Sequence, residues 1–304
     1  MNVQMVEFLL KNSISKFGFI LSWAPRPILN VICKLLACLT FILLPSRRKL
    51  IANNVVGAFP EYSVSGRLKL ILSSISHSIE QGLMLLAWPH LKKNQLRLMF
   101  PLSSENQKKL LDHAICAEGT LWLIPHFCHA DALSFIPDYL DAKSRVHALY
   151  RPLRNKVIDS MVRKSRERFQ VVTIGRKDGG MLKTLRVLKN GETLAMLFDQ
   201  NAGGAGTRLT FMRRECSCTT LPDILYEKYK PKVLFVYTRR TGFWQSSLNV
   251  EEMDELKDGE LLIEKANRWL EFKLRNDKLL RETWLWMHQR WKSGVGQPRK
   301  GKIR

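Results

Sequence analysis

From Gly119 onward the chain alternates short apolar runs with longer amphipathic ones, the pattern of strands and helices in turn. Residues 121–124 are uniformly apolar, follow a Gly-Thr turn signal and are closed by Pro125, which predicts a buried parallel strand. Further strands are predicted at 146–150, 171–174, 193–198 and 232–238, with 243–250 pairing onto the last as a hairpin. Helices are predicted at 131–140, 155–169, 180–189, near 221–229 and at 260–276. This alternation gives an α/β fold with a mostly parallel central sheet flanked by helices.

Upstream, Leu68, Leu72, Ile75, Ile79, Leu83 and Leu86 recur at spacings of four and three, so one apolar helix face is expected to pack on the core before Pro89. Residues 17–44 are the most apolar region, broken by Pro25, Arg26 and Pro27. Within it, 28–44 carries one charge, Lys34, and Arg47, Arg48 and Lys49 follow. That length is at the short end of a bilayer span. A secretory signal would place its basic residues before the apolar run. An N-terminal membrane-anchoring or interfacial helix is expected, with its basic residues on the cytoplasmic side; the alternative is an amphipathic helix packed on a soluble domain. The expected organisation is a membrane-associated segment at 1–50, a catalytic α/β domain at 51–296 and a basic tail at 297–304.

Charge then narrows the partners. With 49 Lys plus Arg against 27 Asp plus Glu, the formal net charge is +22, a field that attracts nucleic acid, an anionic membrane, an acidic carrier protein or phosphorylated ligands. Zinc-finger, helix-turn-helix and RNA-recognition signatures are absent, so specific nucleic-acid binding is not expected. The six cysteines, Cys33, Cys38, Cys116, Cys128, Cys216 and Cys218, show no disulfide framework and imply a reducing compartment. Neither Cys216-x-Cys218 nor His126-x-x-His129 has the spacing of a familiar zinc motif, and no metal is expected.

Three predicted strands end in polar residues that a core would not select: His126, Arg151 and Asp199. In a parallel sheet such ends share one edge, where ligands collect. Asp131, five residues after His126, is the expected partner of the imidazole, fixing its tautomer while the other nitrogen takes a proton. No Gly-x-Ser-x-Gly elbow supplies a nucleophile, so the substrate must bring its own hydroxyl, which indicates a transferase. The helix at 155–169 carries Lys156, Arg163, Lys164, Arg166 and Arg168, suited either to solvent or to phosphate and acidic partners. Arg213, Arg214, Arg239 and Arg240 are candidates to extend that surface. The tryptophans of the C-terminal half are expected to pack around the last helices.

An ordered set of motifs then resembles a known family. It comprises Arg47-Arg48, Asn53, Phe59-Pro60-Glu61, His126-x4-Asp131, Tyr150-Arg151-Pro152, Ser165-Arg166-Glu167-Arg168, Arg176-Lys177-Asp178, Gly191-Glu192, Asp199-Gln200 and Trp286-x-His288-x-Arg290-Trp291-Lys292. Over residues 47–292 the chain resembles the late acyltransferases of lipid A biosynthesis, the lauroyl and myristoyl transferases of the glycerolipid acyltransferase superfamily. The resemblance implies a membrane enzyme at the cytoplasmic face of a bacterial inner membrane. It would move a fatty acyl chain from acyl carrier protein, or alternatively acyl-CoA, to a hydroxyl of a phosphorylated glycolipid, the lipid A precursor, with no cofactor. It implies His126 as general base with Asp131 beside it, and Arg151, Arg166 and Asp199 as substrate-binding positions. A related acyltransferase acting on another glycolipid, phospholipid or aminolipid is the alternative. The chain departs from the pattern at Asp131, where the family usually has Glu, and around Asn201, where a second acid is usual.

Overall fold

The computed structural model describes residues 3–114, 117–140, 145–153, 155–176 and 179–292; Cys116, Lys177, Asp178 and the basic tail lie outside the described residues. Among the described residues, six α-helices precede the first strand: α1 (Val3–Trp23), α2 (Arg26–Leu43), α3 (Pro45–Ala58), α4 (Val64–Ala87, extended by a 3-10 turn at Trp88–His90), α5 (Lys93–Met99) and α6 (Ser104–Ala114). Then come β1 (Thr120–Ile124), a 3-10 helix (Ala130–Tyr139), β2 (Val146–Tyr150), α7 (Lys156–Glu167), β3 (Val171–Gly175), α8 (Gly180–Lys189) and β4 (Thr193–Leu197). A hairpin of β5 (Thr207–Phe211) and β6 (Arg214–Cys218) leads to α9 (Leu221–Tyr229), β7 (Lys232–Gly242), β8 (Gln245–Glu252), α10 (Leu262–Asn276) and α11 (Lys278–Thr283).

The main sheet has six strands in the order β3-β2-β4-β1-β7-β8. Five run parallel, and β8 pairs antiparallel with β7, as the alternation of apolar runs predicts. Both faces are covered, as a parallel sheet requires. Leu121 and Leu123 of β1 face one core with Leu194, Met196, Val233 and Phe235, closed by α8, α9 and α10. Trp122 and Ile124 face the other with Ala195, Val146 and Leu234, closed by α4 and the 3-10 helix.

Three elements differ from the sequence expectation. The segment after His129 is a 3-10 helix containing Pro137, whose ring removes a backbone donor and opposes α geometry. Helix α4 forms, but its buried face is Leu70, Ile71, Ser74, Ile75, Ser76, Glu80, Met84 and Ala87, while Leu68 of the predicted stripe is exposed. The helix is covered on several sides, since α1, α2, α3 and α11 all pack on it, so polar residues at 74, 76 and 80 are enclosed with the apolar ones. The hairpin β5–β6 was not expected, because its two-residue turn is Met212-Arg213, with φ of 51° and 62°. Positive φ at both central positions is the geometry that normally calls for Asn-Gly.

The expected N-terminal helix is α2, and α1 precedes it. One face of α2 (Leu29, Cys33, Ala37) packs against α4, and the other leaves Ile28, Val31, Leu35, Leu39, Ile42 and Leu43 exposed. Phe8, Phe17, Phe19, Ile20 and Trp23 of α1 are exposed as well. By length and composition α2 and the stretch from Val64 to His90 are each apolar enough to cross a membrane. The C-terminal tryptophans Trp284, Trp286 and Trp291 are buried, as is Trp244. His77 and His90 are locally satisfied, His77 by the Glu282 carbonyl at 3.0 Å and His90 by the Ser15 hydroxyl at 3.5 Å.

Candidate active site

Strands β1 and β4 are neighbours in register, with Ile124 opposite Leu197. Each continues two residues past that pair, to His126 and to Asp199, so the shared register brings the two side chains together. The Asp199 carboxylate is buried and accepts from His126 twice, from the backbone N–H at 2.9 Å and from Nδ1 at 2.5 Å. The Trp284 indole N–H donates to it at 2.7 Å. Burial opposes ionisation of Asp199, but the adjacent imidazole and these donors prevail and hold its pKa down to about 2.

With Nδ1–H committed to Asp199, the other imidazole nitrogen, Nε2, carries the lone pair. It faces the pocket and accepts from the Gln200 side-chain amide at 3.0 Å. Gln200 is exposed, so a substrate hydroxyl that displaces its amide would meet a base already in the proton-accepting tautomer.

The hydrogen bond expected between Asp131 and His126 is not formed. Asp131 Oδ1 accepts from Arg166, at 2.8 Å from Nε and 2.7 Å from Nη2, and Oδ2 accepts from the Gln81 amide at 2.9 Å. The physical reason is position: Asp131 lies in the 3-10 helix facing α7 and α4, whereas Asp199 lies on the strand next to that of His126. The Arg166 guanidinium is pushed above its ordinary pKa, chiefly by the Asp131 charge. Gln81 also accepts from the His129 backbone N–H, so a single side chain on α4 holds both ends of the loop 129–131. His129 has φ of 68° and is fixed by Glu80 at 3.1 Å and Ser246 at 2.8 Å.

Glu80, Cys128 and His129 lie close enough to share an ion. The donor set does not suit one: Arg240 already meets the Glu80 carboxylate at 3.0 Å, Trp244 N–H donates to it at 2.8 Å, and burial pushes the Cys128 thiol far above its ordinary pKa.

Between the sheet and α4 runs a cavity of about 280 Å³, with His126, Asp131, Arg166 and Gln81 among its lining residues. Its walls include Trp122, Ile124, Val146, Ala148, Val171, Ala195 and Leu133. The strand residues alternate onto one face, and Ala148 and Ala195 stand opposite each other in register. Two small side chains in one row leave the space that bulkier strand residues would fill. The cavity spans β2 from its first residue, Val146, to its last, Tyr150, a length of roughly 13 Å for five extended residues.

The structure thus gathers His126, Asp131, Arg166 and Asp199 at one edge of the sheet. Arg151 follows β2 at the same edge but is exposed and makes no hydrogen bond or ion pair among the described residues. The basic surface divides: Lys156, Arg163 and Lys164 of α7 are exposed, while Arg166 turns inward. Arg239 pairs with Asp277 and Arg240 with Glu80, so neither extends the patch. Gln81, Gln200 and Trp284 were not foreseen as site residues; Gln81 carries no distinguishing signal, since Glu80-Gln81 continues a run of polar residues (Ser73, Ser74, Ser76, His77, Ser78) in the same helix.

No curated protein matches this chain. The family model of the bacterial lipid A biosynthesis acyltransferases matches residues 10–293, and the chain, with its strand-end histidine opening on an apolar cavity, belongs to that family of acyltransferases.

Proposed function

We propose that this chain is an O-acyltransferase that moves a fatty acyl chain from acyl carrier protein to a hydroxyl of a lipid A precursor, with His126 as the general base. The observation that carries this reading is the cavity: its interior is apolar along the sheet, and its polar groups cluster where the base stands. A hydrocarbon chain fits such walls, each buried methylene contributing about 0.8 kcal/mol. The thioester carbonyl would then lie at the mouth, beside His126 Nε2. His126 takes the proton of the acceptor hydroxyl, the hydroxyl oxygen attacks the carbonyl, and the carrier thiolate departs with that proton returned to it. Asp199 holds the imidazole in the required tautomer and stabilises the imidazolium. Arg166, lining the same cavity and anchored by Asp131, is positioned to meet negative charge on the carbonyl oxygen or the acceptor phosphate.

The exposed apolar faces of α1 and α2 are assigned to the bilayer, with these helices lying on the cytoplasmic face of the inner membrane. Lys156, Arg163 and Lys164 are assigned to the acidic carrier protein.

Mass spectrometry of lipids from a strain lacking this chain tests the reading. Loss of one secondary acyl chain from lipid A, restored by the intact gene, is the expected result; unchanged lipid A with an altered phospholipid or aminolipid would overturn it. Purified enzyme offered acyl carrier protein and acyl-CoA thioesters in parallel identifies the donor. In the same assay Ala195→Leu, which fills the row opposite Ala148, should shift preference toward shorter chains, by roughly fourfold for each methylene excluded. An unchanged chain-length profile would place the acyl chain elsewhere.

A further inference from the structure

Residues 284–291 take no part in the proton transfer, yet they hold three consecutive residues of the active-site loop. Trp284 donates to the Asp199 carboxylate at 2.7 Å, and Arg290 Nη1 donates to the Gln200 carbonyl at 2.7 Å. His288 Nε2 accepts the Asn201 backbone N–H at 2.8 Å, and the Asn201 amide donates to the Arg290 carbonyl at 3.0 Å.

The segment is itself immobilised from three sides. Asn54 of α3 donates to the Trp286 and His288 carbonyls, both at 2.9 Å. Trp284, Trp286 and Trp291 pack against one another, with Trp284 and Trp291 also against Phe211. Arg290 is fully buried and reaches Asn267 Oδ1 and Cys218 Sγ, each at 3.0 Å. Among the described residues no carboxylate pairs with this guanidinium. The nearby group best placed to carry negative charge is Cys218, whose thiol is drawn below its ordinary pKa by its hydrogen-bond contact with Cys216, with help from the Arg290 and Asn267 donors against the opposing effect of burial. His288 is pushed down to about 4, first by burial, and so stays neutral and able to accept at neutral pH.

We propose that Trp284, His288 and Arg290 are positioning residues of the acyl transfer, fixing Asp199, Gln200 and Asn201 relative to His126. The proposal rests on the reading of His126 as the base. A loop carrying the partner of a catalytic imidazole must be held closely, because a displacement on the order of 1 Å costs about a hundredfold in rate. Four hydrogen bonds from one rigid segment supply that restraint. The Trp284 donor does more than hold: by sharing the Asp199 charge it limits how strongly the carboxylate favours the imidazolium. Removing it leaves the carboxylate with one donor fewer and strengthens its pull on the imidazole N–H.

Trp284→Phe keeps an aromatic ring in the cluster and deletes this one donor. The expected result is a kcat roughly tenfold or more below wild type, with KM for the acyl donor within about twofold. The acid limb of the kcat/KM profile should move upward by about half a pH unit. Trp286→Phe is the control, since its indole N–H donates to the Arg281 carbonyl and not to the loop. It should lower the thermal midpoint and leave the acid limb in place. Arg290→Lys keeps the charge but not the fork, and gives a second reading of kcat should Trp284→Phe fail to fold. Wild-type kcat and acid limb in Trp284→Phe, or equal shifts of the limb in Trp284→Phe and Trp286→Phe, would overturn the positioning role while an inactive His126→Ala left the base in place. An active His126→Ala would instead overturn the base assignment beneath it.

Discussion

Asp199→Asn should lower the rate of acyl transfer by roughly 10³- to 10⁴-fold, close to the loss from His126→Ala and well beyond that from Asp131→Asn. The argument is one of tautomer and charge. Asp199 accepts from His126 Nδ1 at 2.5 Å and from the His126 backbone N–H at 2.9 Å, so an amide there can turn its NH₂ toward the ring and force the proton onto Nε2. An imidazole in that tautomer cannot accept from the substrate, and in comparable His–Asp pairs the change costs about 10⁴-fold in kcat. Asp131 makes no hydrogen bond to the imidazole; it anchors Arg166 and Gln81. Its replacement by Asn leaves the base intact and loosens Arg166, with an expected loss of about 10- to 100-fold. Single-turnover transfer from a radiolabelled acyl thioester measures all three variants on one scale. If Asp131→Asn matched His126→Ala while Asp199→Asn stayed within tenfold of wild type, the partner of the imidazole would be Asp131 after all.

That reassignment shows where sequence reading stops. The strand carrying His126 and the strand preceding Asp199 are both legible as apolar runs closed by a polar residue. Their adjacency is not, because a separation of 73 residues and three crossovers lie between them and nothing local records that β4 inserts between β1 and β2. Proximity along the chain favoured Asp131, and proximity across the sheet selected Asp199. The cavity was illegible for a related reason: Ala148 and Ala195 are unremarkable in their own strands and make a groove only when register sets them side by side. The exposed faces of α1 and α2 show the opposite case. An apolar run with basic residues after it was readable at once, and what the fold adds is the face that Leu29, Cys33 and Ala37 give to α4. The C-terminal motif was visible as a pattern and silent as chemistry, since the groups it holds are loop residues almost ninety positions earlier.

The second large effect is on stability and follows from Glu80. This carboxylate is buried, and it is met by His129, by Arg240 and by the Trp244 N–H. Glu80→Ala leaves a guanidinium, an imidazole and a backbone donor without their acceptor, and should cost about 3–5 kcal/mol. Adding Arg240→Met to Glu80→Ala should recover part of the loss, because the stranded charge goes with it. The wild-type protein should also weaken in acid. Burial alone would raise the Glu80 pKa, but His129, Arg240 and Trp244 outweigh it and hold the carboxyl below its ordinary value, as Asp199 is held down to about 2. A carboxyl with a folded pKa below its unfolded one contributes stability that is complete above the unfolded value and is lost as pH falls through the folded one. For Asp199 the window runs from its ordinary 3.8 down to about 2, a contribution of roughly 2 kcal/mol. Thermal midpoints in detergent between pH 6 and pH 2.5 should therefore fall steeply at the acid end for wild type and less steeply for Glu80→Ala, which has already lost one of the two carboxyls. Parallel slopes for the two proteins would mean that Glu80 is not ionised in the fold and that the Arg240 charge is balanced elsewhere.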